Sequence, residues 1–214
     1  MDSLDTQTKS WLDGLIRTQF EIEKHRYSNQ DDVYKLESPR ATYYLKVSDD
    51  LQNEHDNILR LQDFLATPRI VGFTRRDSQD YLLMSEVRGQ NLAELVGDWE
   101  NEAIVNAFAR AVRQLHSLDV PTVFPGTTTS DDVVLHGDMS LPNIIAMNNG
   151  TLGYIDLGQV TVGPRDNDLA DAIWSLQRNI GPKYGEYFLH EYGNVKVTPK
   201  IEKALAYRYS PNDN

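Results

Sequence analysis

Three residues in the second half of the chain have the types and the spacing that a metal-assisted transfer reaction needs. Asp138 is followed five residues later by Asn143, and Asp156 comes thirteen residues after Asn143. Carboxylate and amide oxygens are ligands that Mg²⁺ accepts, and a carboxylate outside the metal shell can act as a general base. The sequence therefore predicts a magnesium site at Asn143 and Asp156, with Asp138 as the base.

A β-hairpin is predicted to bring these three residues together. Two alternating hydrophobic runs flank Asn149-Gly150. An Asn-Gly pair in that position favours a two-residue type I′ turn, because both central residues of such a turn need a positive φ. With that loop length, Asn143 lies directly opposite Asp156, and Asp138 lies in the segment that enters the hairpin. The alternative is that Asp138 caps a turn and Asp156 merely ends a strand.

The same spacing occurs in enzymes that transfer phosphoryl groups. Kinases combine an H-x-D-x-x-x-x-N segment with a D-x-G turn. Here the corresponding residues are His136-Gly137-Asp138, Asn143 and Asp156-Leu157-Gly158. With Gly inside HGD and Leu inside DLG, the pattern resembles the aminoglycoside phosphotransferase family rather than the protein kinases.

Composition limits the classes of protein that remain. The 214 residues suffice for one compact domain or two small lobes, and the net charge of −11 argues against nucleic-acid binding but suits a cationic small molecule. No apolar run is long enough to span a membrane, and the first fifteen residues are too polar for a secretory signal. The absence of cysteine is compatible with a cytoplasmic location.

The first half of the chain is predicted to form an antiparallel sheet with helices. A helix is predicted at residues 3–16 and another at 50–65. Five strand-like runs are separated by turn residues. They are residues 20–25, 33–37, 42–47, 69–74 and 81–87.

Lys46 needs a partner if its strand is buried. Lys46 and Tyr44 are two residues apart and point to the same face of the strand, and Leu45 and Val47 flank the lysine. A buried ammonium group is costly unless it is paired, and Glu54 on the following helix is the candidate partner. The alternative is an edge-strand lysine and a glutamate on the helix surface.

The second half is predicted to be mostly helical. Residues 100–118 carry hydrophobic side chains at three- and four-residue steps, which indicates a helix that faces a core. A connection at 120–132 leads to the HGD segment, and a loop at 161–167 follows the DLG turn. Further helices are predicted from Asp168 to about residue 181, at 183–192 and at 198–209 with Thr198 as N-cap.

The order of short motifs is similar to that of the aminoglycoside 3′-phosphotransferases. The motifs are VYKL, YYLK, NEHDNIL, YLLMSE, RQLHSLD, LHGDMSLPN, GYIDLGQ and NDLADA. The resemblance implies an α+β, two-lobed fold like that of the eukaryotic protein kinases, with residues 1–88 as a nucleotide-binding lobe (a five-stranded antiparallel sheet plus helix) and 89–214 as a mostly helical catalytic and acceptor-binding lobe. It also implies that Mg²⁺ is the metal cofactor and that ATP or GTP is the phosphoryl donor. The acceptor would be a hydroxyl of an aminoglycoside antibiotic, whose phosphorylation confers resistance. A monomer or weak dimer is expected.

The resemblance assigns roles to individual residues. Asp138 would be the base, Asn143 and Asp156 would hold magnesium, and Asp168 would support the catalytic loop. The nucleotide would be bound by a larger set, in which Lys46 contacts the phosphates, Glu54 anchors Lys46 and Tyr44 lies against the base. The linker beside the base would be Ser85, Glu86 and Val87, and the backbone of Ser28 and Asn29 would cover the phosphates.

Two departures from the family leave the acceptor open. Only about 18 residues, from Val120 to Gly137, stand where family members usually have a long helical insertion, and Gln159 stands where an Arg often follows DLG. Carboxylates that could bind an acceptor's ammonium groups are Asp166, Glu186, Glu191 and the C-terminal group of Asn214. Alternative functions are a kinase for a macrolide, a choline-like alcohol or a sugar amine, or a nucleotide-binding pseudokinase.

Overall fold

The computed structural model describes residues 4–25, 32–127, 131–193 and 195–207. The chain forms two compact units, Met1–Leu59 with Pro68–Glu86, and Arg60–Thr67 with Val87–Asn214. Within the described ranges, no helix combines the length and the apolar character that crossing a bilayer requires.

The first unit is built on a five-stranded antiparallel sheet, as predicted. The strand order is β1-β2-β3-β5-β4. The elements, in chain order, are α1 (Thr6–Ile16), β1 (Glu21–His25), β2 (Asp32–Glu37), β3 (Thr42–Ser48), α2 (Gln52–Leu61, whose last two residues belong to the second unit), β4 (Ile70–Arg76) and β5 (Gln79–Ser85).

Helix α1 covers one face of this sheet. Leu12 and Ile16 of α1 are buried in one hydrophobic cluster with Leu45 and Val47 of β3. Because successive side chains of a strand point to opposite faces, the residue between them, Lys46, points to the other face. The sheet therefore separates a hydrophobic core from the face that carries the lysine.

The turn between β4 and β5 is a tight two-residue turn. Asp77 and Ser78 both have a positive φ, 48° and 67°, and the flanking residues Arg76 and Gln79 are paired. Positive φ at both central residues defines a type I′ turn, whose twist suits a hairpin. This turn was not predicted from the sequence.

The second unit combines helices with two small sheets. Its strands pair as β6-β8-β9 and as β10-β7. The elements are β6 (Gly89–Asn91), α3 (Asn101–His116), α4 (Val120–Val123), β7 (Val133–Leu135), β8 (Ile144–Met147), β9 (Leu152–Tyr154), β10 (Thr161–Gly163), α5 (Asp166–Asn179), α6 (Tyr184–Tyr192) and α7 (Pro199–Ala206). The core stripe predicted for α3 is confirmed, and Phe108 at its centre is fully buried.

Two connections contain more structure than the sequence suggested. Residues 161–163, predicted as loop, form β10 and pair with β7, so that Thr161 lies opposite Leu135. Helix α4 forms a single turn in the predicted connection, capped by the Asp119 side chain, which accepts from the Thr122 N–H at 3.1 Å. Pairing between β7 and β10 joins the strand before HGD to the strand after DLG.

The predicted hairpin is present as β8–β9, but its predicted turn is wrong. Met147 N donates to Thr151 O, so the loop has three residues, and of these only Gly150 has a positive φ (80°). A type I′ turn would also need a positive φ at Asn149. The register consequently differs by one residue from the prediction, and Asn143 O accepts from Ile155 N rather than lying opposite Asp156.

Candidate active site

The HGD segment is held by a buried carboxylate on α5. Asp168, in the first turn of α5, is fully buried. Its Oδ2 accepts from His136 N at 2.8 Å, and its Oδ1 accepts from Gly137 N at 3.0 Å. Both amides immediately before Asp138 are therefore fixed by one side chain, which is the supporting role that the sequence resemblance implied for Asp168.

The backbone at Gly137 admits no side chain. Its φ is 80°, in the left-handed region, and a Cβ there would overlap the backbone oxygen of Gln159. Glycine is the residue that takes up this conformation without steric cost. The Gly inside HGD thus permits the loop before Asp138 to lie directly against the segment after DLG.

Asp138 is joined to Asn143 by two hydrogen bonds. Asn143 Nδ2 donates to the backbone oxygen and to Oδ2 of Asp138, both at 2.9 Å. Asn143 is buried at the end of a short 3-10 turn, and Leu141 N in that turn donates to Ser175 Oγ of α5 at 2.9 Å. Helix α5 therefore fixes the loop on both sides of Asp138, through Asp168 before it and Ser175 after it.

The DLG turn is tied to the same loop. His136 is fully buried and its Nε2 lies 3.1 Å from Ile155 O, in the residue before Asp156. Asp156 has a left-handed backbone, with φ 57° and ψ 59°. This conformation costs a non-glycine residue about 1–2 kcal/mol. Strain of this kind is often retained at functional sites, where the surrounding structure enforces it.

The ion pair predicted for the first unit is present. Lys46 Nζ lies 2.8 Å from Glu54 Oε2, and the two side chains are 12% and 4% exposed. A buried ammonium group and a buried carboxylate stay paired, because separating them would leave each charge buried without a partner. Lys46 is thereby fixed on the sheet face opposite α1.

The other residues proposed to contact the nucleotide lie around β3 and the end of β5. Tyr44 is half-buried and pairs with Met84. Ser85 N and Glu86 N already donate to Arg69 O and Thr42 O. Ser28 and Asn29 lie outside the described residues.

The last predicted linker residue, Val87, follows β5 by two residues. Val87 packs in the second unit over Gly153, where a side chain would not fit.

The carboxylates predicted to bind an acceptor lie on α5 and α6. Asp166 Oδ2 accepts from Thr198 Oγ1 at 3.0 Å, and Glu191 pairs with the adjacent His190 at 3.0 Å. Glu186 is exposed in the first turn of α6. Among the described residues, no hydrogen bond or ion pair joins these three to the catalytic loop. Asn214 lies outside the described part of the chain.

A carboxylate that sequence reasoning missed, Asp171, lies in the electrostatic field of Asp168 and Asp138. Burial, and then the negative charges of Asp168 and Asp138, raise the pKa of Asp171 to about 6, although Lys200 opposes the shift and much of the residue is exposed. Asp171 is three residues after Asp168 and four before Ser175, so the three share one face of α5. The sequence NDLADA contained that spacing.

Comparison with known proteins agrees with this arrangement. The model of the phosphotransferase enzyme family matches residues 124–205, which include the HGD and DLG segments. An aminoglycoside 3′-phosphotransferase of Staphylococcus aureus is 32% identical, over 87% of this chain and 92% of the relative. The chain belongs to the aminoglycoside phosphotransferase family. A second relative in the family, the aminoglycoside 3′-phosphotransferase of Enterococcus faecalis, is 26% identical over 87% of this chain and 92% of its own length.

Solved structures of the aminoglycoside phosphotransferase family have the same fold. The type VIII aminoglycoside 3′-phosphotransferase superposes with a TM-score of 0.73 at 19% identity, over 94% of this chain and 97% of that chain. The structure of aminoglycoside phosphotransferase APH(3″)-Id of Streptomyces rimosus, in complex with ADP and streptomycin, superposes with a TM-score of 0.71 at 19% identity, over the same shares of the two chains. The two-lobed, kinase-like α+β fold is thereby confirmed.

The alignment to one of these relatives also shows that the two chains differ in length. The match to the Staphylococcus aureus relative extends over 248 positions, more than the 214 residues of this chain. Part of the relative therefore has no counterpart here.

Proposed function

We propose that this chain transfers the γ-phosphoryl group of ATP or GTP to a hydroxyl of an aminoglycoside, at the 3′ position. The observation that carries the proposal is the fixed position of Asp138: Asn143 holds its carboxylate, while Asp168 and Ser175 hold the loop around it. The names of the relatives support the acceptor class. Modification of the acceptor would protect a host cell from the antibiotic.

Asp138 acts on the acceptor hydroxyl. Its Oδ2 accepts a hydrogen bond from Asn143, which orients the carboxylate and leaves Oδ1 to accept from the acceptor hydroxyl. Phosphoryl transfer needs little covalent work from a protein, and most of the rate comes from positioning and charge neutralisation. Asp138 aligns the hydroxyl for in-line attack and takes its proton as the new P–O bond forms. At the same time the bond between the γ-phosphorus and the β–γ bridging oxygen breaks, and ADP or GDP leaves.

Asn143 and Asp156 are suited to hold Mg²⁺. Since Asn143 donates through Nδ2, its amide oxygen remains as an acceptor, and no described residue donates to it. The described residues contain no group of three or more His, Cys, Asp or Glu side chains spaced to bind a metal by themselves. Mg²⁺ is usually held by one or two protein oxygens together with substrate phosphates. Bound there, it would neutralise charge on the phosphate oxygens.

Residues 1–88 would serve as the nucleotide-binding lobe and 89–214 as the catalytic and acceptor-binding lobe. Lys46, held by Glu54, is the cation for the phosphates. Tyr44 would lie against the base, and Val87 would offer its N–H to it. The net charge of −11 suits a cationic acceptor, which the protein's field would attract.

A second candidate keeps the chemistry and changes the acceptor. It is favoured by the longer alignment, because the relative has residues that this chain lacks. If those residues form a wall of the acceptor site, a macrolide, a choline-like alcohol or a sugar amine becomes the substrate.

A coupled assay of ADP or GDP release tests both candidates. The wild type, Asp138→Ala and Asp119→Ala are assayed with Mg²⁺ against a panel of aminoglycosides, macrolides and amino alcohols. Asp119 is an exposed carboxylate that only caps α4, so its variant controls for the loss of an aspartate. Asp138-dependent turnover on aminoglycosides supports the proposal. Turnover only on another class selects the second candidate, and nucleotide binding without turnover on any acceptor contradicts both.

A further inference from the structure

A chain of hydrogen bonds continues from Asp168 away from the catalytic loop. His116, at the end of α3, lies with Nε2 3.1 Å from Asp168 Oδ2. Its other ring nitrogen, Nδ1, lies 2.9 Å from the hydroxyl of Tyr192 at the end of α6. The two rings also meet edge to face, with centroids 5.7 Å apart and planes at 76°. Three separate helices therefore meet at this one imidazole.

The donors and acceptors allow one consistent arrangement for a neutral ring. The Asp168 carboxylate already accepts from His136 N and Gly137 N, so His116 must donate through Nε2. A neutral imidazole that donates through one nitrogen accepts through the other. Tyr192 must then donate its hydroxyl proton to Nδ1 of His116.

The surroundings of Tyr192 agree with this direction. Burial is the largest influence and raises the pKa of Tyr192, whereas the charge of Arg165 and a hydrogen bond from it lower that pKa. The Arg165 guanidinium offers Tyr192 donors only, which agrees with a Tyr192 hydroxyl that gives its own proton to His116 Nδ1. In the series Tyr192–His116–Asp168, each donor therefore points toward Asp168.

We propose that Tyr192 is a positioning residue for phosphoryl transfer. This inference rests on the proposed function. The hydroxyl of Tyr192 holds His116 in the tautomer that carries its proton on Nε2, and His116 thereby holds Asp168 against the two amides that precede Asp138. Tyr192 contacts neither substrate nor any reacting atom.

The opposite tautomer of His116 would disturb the position of the HGD segment. With the proton on Nδ1, the lone pair of Nε2 would face the carboxylate of Asp168, and two acceptors would repel each other. The site offers little solvent to relieve that contact, because His116 and Tyr192 are 9% and 7% exposed and Asp168 is fully buried. Asp168 would have to move, and the backbone of the HGD segment would lose its fixed position.

Tyr192→Phe tests the proposal, and the same helix offers a matched control. Phe keeps the ring and removes only the hydroxyl. Tyr184 is also a buried tyrosine of α6, and its hydroxyl accepts from Asn101 Nδ2 at 3.1 Å, at the start of α3 and away from Asp168. Tyr184→Phe therefore loses one comparable hydrogen bond that does not lead to the catalytic loop.

Kinetics and NMR provide the two measurements. We expect Tyr192→Phe to lower kcat roughly ten-fold, the effect of about one hydrogen bond, with both KM values within about two-fold of the wild type. Tyr184→Phe should retain the wild-type kcat, and thermal unfolding should show similar stability for both variants. The ¹⁵N spectrum of the His116 ring, assigned by its loss in His116→Gln, should show the Nε2–H tautomer in the wild type and in Tyr184→Phe. In Tyr192→Phe it should show a mixture of tautomers.

Each outcome decides for or against the role of Tyr192. An unchanged His116 spectrum in Tyr192→Phe overturns the proposal, and so does a changed spectrum with kcat equal to that of Tyr184→Phe. If the wild type transfers phosphate to no acceptor, the proposed function fails and with it the catalytic role. The ring spectrum still reports separately whether Tyr192 sets the tautomer.

Discussion

Replacing Asp168 by Asn removes the charge that holds the catalytic loop while keeping the size of the side chain. The carboxylate accepts three hydrogen bonds, from His136 N at 2.8 Å, Gly137 N at 3.0 Å and His116 Nε2 at 3.1 Å. An amide can accept on its oxygen only. In either orientation of the new side-chain amide, its NH₂ group therefore faces at least one of these donors.

The expected loss of stability follows from the hydrogen bonds that Asp168→Asn removes or weakens. A hydrogen bond to a charged group contributes about 1.5–3 kcal/mol, and a buried donor without an acceptor costs about 1–3 kcal/mol. The bonds that remain change from charge-assisted to neutral and become weaker. Together these effects predict that Asp168→Asn lowers the free energy of unfolding by about 2–4 kcal/mol.

Urea denaturation followed by circular dichroism measures this difference. Asp166→Asn is the control, because Asp166 lies in the same turn of α5 and an amide oxygen can accept its hydrogen bond from Thr198 Oγ1. We expect the control to change stability by less than about 0.5 kcal/mol. A loss below about 1 kcal/mol in Asp168→Asn, together with normal turnover, would refute the conclusion that this carboxylate holds the loop.

Three further predictions concern single residues. Asp156→Asn should weaken nucleotide binding in the presence of Mg²⁺ much more than in EDTA, and equal effects in calorimetric titrations would contradict its role as a metal ligand. Lys46→Met should raise the Kd for the nucleotide about 10-fold to 100-fold, the effect of a charge-assisted contact, and an unchanged Kd would exclude a phosphate contact. The pKa of Asp171 is raised in the folded state, so its charge disfavours folding above about pH 6, and this cost disappears as the pH falls toward the ordinary carboxyl range. Asp171→Asn should therefore be more stable than the wild type at pH 8, by less than about 1 kcal/mol because solvent screens the exposed side chain. The difference should shrink as the pH falls below about 6 and vanish only below the ordinary carboxyl pKa of 3.8; a constant difference would contradict the shift.

Most of the fold and much of the site could be predicted because their signals are local. Alternation in β3 put Lys46 and Tyr44 on one face of the strand, and the helix that follows supplied Glu54 as the partner of Lys46. The HGD and DLG spacing identified Asp138, Asn143 and Asp156 as a group, and the structure joins the first two directly.

The register of the hairpin could not be predicted because contacts far along the chain decide it. Tyr154 donates from its N–H to Ala66 O and from its hydroxyl to Ala111 O, both at 2.9 Å, which fixes β9 from its other edge and from α3. The loop then closes with three residues, despite the Asn-Gly pair. The type I′ turn occurs instead at Asp77-Ser78, a pair with a weaker sequence signal.

The residues that hold the loop around Asp138 could not be predicted from the sequence either, except for Asp168. Ser175 and Tyr192 are ordinary helix residues in the one-dimensional pattern, and nothing in their spacing shows that one bonds to Leu141 and the other to His116. Such partners become adjacent only when α3, α5 and α6 pack together.

Analysis of the reaction product tests the central claim most directly. Wild-type protein and Asp138→Ala are incubated with Mg²⁺, ATP or GTP and a kanamycin-class aminoglycoside, and the product is examined by mass spectrometry and ³¹P NMR. We expect a single phosphate ester at the 3′-hydroxyl with the wild type. Loss of the base should lower the rate about 10²–10⁴-fold in Asp138→Ala. An ester formed at the same rate by both proteins, or no ester on any aminoglycoside, would contradict the assignment.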